Sequence, residues 1–473
     1  MHQNADRTLR LVKLGVLRRI KMRTKDCDKF RRLIIVLLIT LIFSSCSEEN
    51  NSNHNNDNTS SDQTPQSGEI DQTFGTNGIV ITEVSGYYDV PRKVISQQDG
   101  LILVAGESFD GTNSSFAVSR YSSSGVLDET YGNNGKATAL ITISGGSTSL
   151  GGAVQQSDGK IILAGMGYNG TDNDIVLVRF GTDGVLDSSF GVGGIYRSDV
   201  GTNEGAYAIA IQEDGRILVA GFAENEIDHD SDFLIARYTT AGAPDPSFGT
   251  NGFVATPFAS DYGECRIAVF NKLAILNDGS IIAAGSATTI YQTTTENRLA
   301  IARYTSDGYV DTTFGTPNLI VDVYGYLASD MVLQDNDRII IATSNEYNKE
   351  FSLIRFDQNG LIDLSFGSSG IALAAIGDYD SESSALALQN DGRIIVAGET
   401  YQDGKFVLTL AKFDTNGALD STFGEGGSVL TTMTTANGYA SSLAIQADGK
   451  ILTAGAVETA GSVSAFGIVR IYP

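Results

Sequence analysis

Tryptophan is absent from this 473-residue chain, and histidine and cysteine number only three each. The missing tryptophan argues against the sialidase-type Asp box and the quinoprotein repeat motif, which both use it. His2 and His54 precede the patterned part of the chain. A Ser-His-Asp or Cys-His site would therefore rest on His229, in the loop Glu226-Ile227-Asp228-His229-Asp230, where no partner is identifiable. HExxH, Walker and zinc-type Cys/His spacings do not occur. Cys27, Cys46 and Cys265 form no disulfide framework, and Cys265 reads as a small buried hydrophobe. Helical periodicity is missing from 70–473, where apolar runs of four to six residues are too short for helices.

What is present is a repeat. An Asp-Gly turn slot holds Asp99, Asp158, Asp214, Asp278, Asn336, Asp391 and Asp448, at successive spacings of 59, 56, 64, 58, 55 and 57 residues. A fixed period of this size marks units that bury their faces against one another. Each unit reads as four short strands: an alternating run such as Ala208–Gln212, the turn, Arg216–Gly221, Phe233–Tyr238, and a looser Gly252–Thr256. Asp-Gly between two apolar runs is a strong hairpin signal, read here as a type I′ turn with glycine at positive φ. Four strands in a meander fit a propeller blade; a β-solenoid, whose rungs are usually shorter, is the competing architecture.

A charge pattern runs through the units. Arg120 is followed eight residues later by Asp128, and the same offset gives Arg179–Asp187, Arg237–Asp245, Arg303–Asp311, Arg355–Asp363 and Lys412–Asp420. A tight turn lies midway, so each pair faces across a hairpin, where opposite charges contribute on the order of 0.2–1 kcal/mol. Asp71 has no cation before it and Arg470 no aspartate after it. The chain starts on a fourth-strand segment and ends after a third strand, so these two are expected to pair where the termini meet, which would also remove two open sheet edges. An aromatic recurs as Phe74, Tyr131, Phe190, Phe248, Phe314, Phe366 and Phe423, read as packing between blades.

The motifs A-x-A-x-Q-x-D-G-K/R-I-x-x-A-G and F-x-L-A-R-Y-x-x-x-G-x-L-D-x-T-F-G-x-x-G, seen at 155–165, 233–238 and 419–427, resemble the delta-60 repeat. That family is a β-propeller domain of unknown function, and the resemblance covers about 70–473. Departures are local: Asn336-Asp337 replaces Asp-Gly, Thr343 a glycine, and Lys412 the arginine. The resemblance implies a seven-bladed, all-β propeller of four-stranded antiparallel blades, the N-terminal strand completing the last one. It implies no activity.

The N-terminus reads separately. Arg31-Arg32 precede the apolar run Leu33–Phe43, eleven residues long, which suits a signal peptide and is too short to span a bilayer. Ser44-Ser45-Cys46 resembles a bacterial lipoprotein signal with Cys46 lipidated; an ordinary signal or an uncut anchor is the alternative, and Met22 would start a more typical leader. Residues 1–46 are thus read as signal, 47–69 as a polar tether and 70–473 as the propeller. The expected location is the outer membrane or cell surface, with secretion or the periplasm as the alternative, and membrane contact only through the lipid. After Cys46 there remain 21 basic and 53 acidic residues, a surface that repels nucleic acid. A monomer is expected.

Loops after the second strand vary in length and emerge on one face. Six carry an aromatic, Phe109, Tyr168, Phe222, Tyr291, Tyr347 or Tyr401, which makes them the candidate ligand face for a glycan or protein. The unit at 252–316 is longest. Asp228, Asp230 and Asp232 have alternating spacing that would suit calcium, and Asp172 with Asp174 is a thinner version, though neither forms an EF-hand loop. A solvated acidic loop is the simpler reading, so no cofactor is expected. The functional expectation is a non-enzymatic binding scaffold. Its alternative is a carbohydrate-active or other hydrolase with acidic residues at the propeller channel.

Overall fold

The computed structural model describes residues 65–473 except 143–147, 202, 225–229, 259–263, 292–293, 316–320, 325, 346–349, 378–379 and 460–462. Cys46, the signal and most of the tether lie outside the described residues, as do Asp228, His229 and Tyr347 and the side chains of Cys265 and Tyr291.

Among the described residues every regular element is a strand, apart from a three-residue 3-10 turn at Asp335–Asp337. The turn chemistry sets the strand spacing. Gly100 donates its N–H to the Gln97 carbonyl, and Gln97 donates to the Leu101 carbonyl. Gly100 has φ of 84°, whereas Asp99 is not at positive φ. The connection is therefore a three-residue loop, a type I turn closed by a left-handed glycine, and not the type I′ turn read from sequence. The aspartate acts through its side chain, accepting the N–H two residues on, as Asp99 does from Leu101 at 3.0 Å. In the fifth unit Asn336 and Asp337 both take positive φ, 65° and 57°, a conformation these two residue types tolerate.

The strands form five four-stranded antiparallel sheets and one eight-stranded sheet. The eight-stranded sheet consists of two four-stranded sets joined by one parallel bridge, Tyr88 to Ser464. The four-stranded sets are numbered first to seventh in chain order. Their first strands are Tyr88–Ser96, Thr148–Gln155, Glu204–Ile211, Glu264–Ile275, Tyr326–Leu333, Ser381–Leu388 and Ser442–Ile445. In the seventh set the outer strand is Ile79–Thr82 from the start of the domain, antiparallel to Ser464–Ile471 with Ile79 opposite Val469.

The core lies between successive sets. One cluster joins the first and second (Phe116, Val118, Leu163), and others continue in chain order to the sixth and seventh. A further cluster, with Phe74, Val104, Leu452 and Phe466, lies between the seventh set and the first.

One side-chain arrangement stitches each set to the next. Arg179 Nε donates to its own Asp187 at 2.8 Å, Nη2 to Ser189 Oγ, and Nη1 at 2.7 Å to the Thr240 carbonyl in the following unit's turn. Its guanidinium lies 4.6 Å from the Phe190 ring centre, and Phe190 is fully buried. Arg120, Arg237, Arg303 and Arg355 repeat this, donating to Thr182, Ser306, Gln358 and Thr415. Arg470 closes on Asp71, with Nη2 2.8 Å from Oδ2, lies over Phe74, and donates to the Ser123 carbonyl of the first set. Lys412 carries only a point charge: it sits 4.0 Å from Asp420 and 5.5 Å from the Phe423 ring.

Burial opposes ionisation of Asp71, but hydrogen bonds from Thr73 and the charges of Arg470 and Lys450 hold its carboxyl well below the usual range. Asp128, Asp187, Asp245, Asp311, Asp363 and Asp420 are lowered as well, Asp245 to about 2. Each folded-state value lies below the unfolded one, near 3.9, so the stabilisation is complete above about pH 4 and is lost as pH falls through the folded values. Unfolding followed from pH 6 to pH 2 is expected to show a steep loss of stability beginning below about pH 4. Asp71→Ala, which leaves the buried Arg470 uncompensated, is expected to cost about 3–5 kcal/mol in denaturant titration. Lys412→Arg, which restores the planar fork, is expected to gain about 1 kcal/mol.

Candidate functional site

The first strand of a set is bent by one extra residue. In the third set the register passes from Ala206 opposite Gly221 directly to Ala208 opposite Ala220, leaving Tyr207 as the bulge. The same shift isolates Arg92, Gly151, Asn271, Ser329 and Ser384. In the seventh set Tyr439 and Ser441 donate to the carbonyls of Ala456 and Ala454, which puts Ser441 in that place. Each of these seven residues stands seven positions before the turn slot. In six of the seven sets the residue opposite is glycine: a Cβ on Gly221 would collide with the Gly205 carbonyl oxygen, so glycine lets the bulged strand come close, while in the fifth set Thr343 stands there.

All seven bulge residues line one cavity of about 890 Å³. A bulge re-aims a side chain, and here each set contributes one to a common space. Tyr88, Tyr207 and Tyr439 supply aromatic faces, and Ser329, Ser384 and Ser441 supply hydroxyls.

The charges in this space come in unlike settings. Arg92 donates to Glu107 at 2.7 Å, and Glu107 also accepts the Leu150 N–H at 2.8 Å. Lys272 lies 3.4 Å from Asp330, whose carboxylate accepts the N–H groups of Leu386 and Met331 at 2.7 and 2.9 Å. Glu399 accepts from Ser384 Oγ at 3.2 Å and stands directly across the sheet from Glu382. Burial, reinforced by the Glu382 charge and opposed by the Ser384 bond, pushes the Glu399 carboxyl up to about 7. Two carboxylates in register on one face, one half-buried and one exposed, are thus placed in different environments.

The six loop aromatics stand mostly behind this wall. Phe109 is in register with Tyr88, and its ring meets Tyr87 edge-on at 5.6 Å. Phe222 packs on Tyr207 at 6.0 Å, and Tyr401 meets Phe406, which in turn packs on Tyr439 at 5.6 Å. Tyr168 is turned back on its own loop, donating to the Gly170 carbonyl. The side chains of Tyr291 and Tyr347 lie outside the described residues. The column seven places before the turn varies as Arg, Gly, Tyr, Asn, Ser, Ser, Ser and was visible in the sequence, although nothing there shows that it is a bulge.

Of the calcium candidates, Asp230 and Asp232 lie at the start of the third strand of the third set, each with an interaction partner. Another acidic group brings carboxylate oxygens of Asp174, Asp199 and Glu204 within 4.8 Å of one another. Burial raises Glu204 to about 7. Glu204 accepts the Val200 N–H at 2.6 Å, as the equivalent Asp89 accepts those of Val84 and Ser85, so both carboxylates tie down the chain entering a first strand.

Six segments, 97–131, 156–190, 212–248, 276–314, 389–423 and 446–473, match the model of a β-propeller domain of unknown function, DUF5122. The first five run from the turn to the packed aromatic, so the likeness covers the stitch and leaves out the bulged strand. No curated relative matches. Among solved structures, the chain is similar to a virginiamycin B lyase from Staphylococcus aureus at 11% identity and TM-score 0.44, covering 83% of this chain and 98% of that one. It is similar to an ulvan lyase at 12% identity and TM-score 0.46, covering 82% and 96%. It is similar also to the β-propeller domain of the Trilobed protease from Pyrococcus furiosus at 13% identity and TM-score 0.40, covering 82% and 94%. The expectation of a protein without enzymatic activity is not upheld, because lyases are among the structures the chain is similar to; at these identities the likeness is one of fold. A motif local in sequence does not reveal this cavity, which takes its residues from seven separate units. The chain carries an all-β propeller repeat domain of unknown function.

Proposed function

We propose that the seven four-stranded sets close into one ring, with Ile79–Thr82 completing the last, and that the cavity on its axis is the active site of a carbohydrate-active enzyme. The apolar cluster between the seventh and first sets supports the closure. The carboxylate pair supports the chemistry: Glu399, at about 7, is protonated in a large share of molecules at neutral pH, and Glu382 faces it across the strand pair. In this reading Glu399 donates its proton to the departing glycosidic oxygen as the C–O bond breaks. Glu382 takes a proton from the water that attacks the sugar carbon. The tyrosine faces and serine hydroxyls suit a sugar, which offers an apolar ring face and a rim of hydroxyls. Lipidation at Cys46 would put this activity at the bacterial envelope, where polysaccharides are encountered.

The test is a turnover assay of the purified protein against a panel of oligosaccharides. Glu399→Gln is expected to lower kcat at least about 100-fold with the melting temperature unchanged or raised. The wild-type rate is expected to fall as pH rises through about 7, as Glu399 loses its proton. Equal rates for wild type and Glu399→Gln would refute the assignment.

A further inference from the structure

The cavity is not alike on all sides. In the first five sets its lining comes from the first strand alone, as with Tyr207 in the third. The sixth set adds Glu399 from its second strand. In the seventh the lining passes beyond the first strand to Val457 and Glu458 on the second and to Ser464 on the third. The chain accounts for the difference. The regular first strand of the seventh set starts at Ser442, six residues before Asp448, whereas Thr148 in the second set stands ten residues before Asp158. A first strand cut short at this end leaves the second and third strands of its own set facing the cavity.

This side extension is framed by groups that are tied in place. Ser464 Oγ donates to the Asp89 carbonyl at 2.6 Å and accepts the Asp89 N–H at 3.1 Å, so Tyr88, next in the chain, is carried by the junction of the seventh and first sets. Ser441 Oγ donates to the Pro91 carbonyl across the same junction at 2.6 Å. The Tyr439 backbone N–H donates to the Ala456 carbonyl, and its ring packs on Phe406 at 5.6 Å. Glu458 accepts from Asn437 Nδ2 at 3.1 Å. Tyr88 is nevertheless 51% exposed. A ring on a tied backbone, left largely to solvent beside a cavity, offers a stacking surface at little cost in entropy. The cavity volume, about 890 Å³, lies in the upper part of the ~300–1,000 Å³ typical of small-molecule sites, which leaves room beyond a single sugar ring. Its lining holds two basic side chains, Arg92 and Lys272, and two acidic ones, Glu399 and Glu458, a balance that suits an uncharged chain.

Resting on the carbohydrate reading of this cavity, we infer that its ligand is a linear, neutral glycan bound along several rings, which runs from Glu399 out over the seventh set. Tyr88 and Tyr439 are the platforms for the sugars beyond the one that reaches Glu399. They set the preference for chain length and take no part in bond breaking. A monosaccharide or a short oligosaccharide fills the space near Glu399 and gains nothing from the extension.

Binding separates this inference from catalysis. Calorimetry on the full chain carrying Glu399→Gln would compare the trisaccharide and the hexasaccharide of the cello-, xylo- and malto-oligosaccharide series. In at least one series the hexasaccharide is expected to bind at least about tenfold more tightly than the trisaccharide. Tyr88→Ala and Tyr439→Ala are each expected to weaken that hexasaccharide about tenfold and to leave the trisaccharide within about twofold. Tyr309→Ala, which removes an exposed ring at the stitch end of the sheets, is expected to change neither. Thermal melts would check that each variant folds, and Tyr88→Phe, which keeps the ring, is expected to bind like the parent. The inference is overturned if no hexasaccharide binds, if trisaccharide and hexasaccharide bind alike in every series, or if both alanine variants bind like the parent. Length-dependent binding that needs Tyr88, in a wild-type protein that cleaves none of the probes, would uphold the inference and remove the enzymatic reading. Glu399-dependent cleavage with no dependence on chain length would do the reverse.

Discussion

The guanidinium stitch governs this architecture. A single arginine satisfies three demands at once: it neutralises its own aspartate, covers the unit's buried aromatic, and donates to the carbonyl of the next unit's turn. The third contact is the decisive one, because a stack of sheets held only by apolar faces can slide. A planar fork aimed at one carbonyl fixes the relative position of neighbouring sheets. Desolvating a guanidinium is costly, and the carboxylate with its depressed pKa offsets that cost. The same device joins Arg470 to Asp71 and to Ser123, so the junction of the chain ends uses the contact that holds every other neighbour.

This constancy at one end of the sheets leaves the bulge position on the first strands free to differ. The bulge itself is a matter of backbone geometry, with glycine opposite in six of the seven sets, so side chains of several kinds can occupy it. Arginine, tyrosine, asparagine and serine all stand there. Their chemistry accumulates in the cavity without disturbing the turn or the stitch. The six matched segments begin at the turn and so leave out the bulged first strands, which supply most of the cavity's lining.

The sequence made much of the scaffold legible, for a physical reason. Turn glycine, ion pair and packed aromatic are local to each unit, so the Arg237–Asp245 offset of eight carries its geometry with it. Sheets of four antiparallel strands followed from the same periodicity. The turn type was misread because two-residue and three-residue loops share the Asp-Gly signature and differ only in which residue takes positive φ. The site was harder. Loop aromatics such as Phe222 drew attention through their variability, yet Phe222 packs on Tyr207, and Tyr207 lines the cavity. Alternation along a strand assigns residues to faces only while the register is regular, and a bulge breaks the count at the position that matters. Nothing within one unit reveals that residues of seven units will line one cavity.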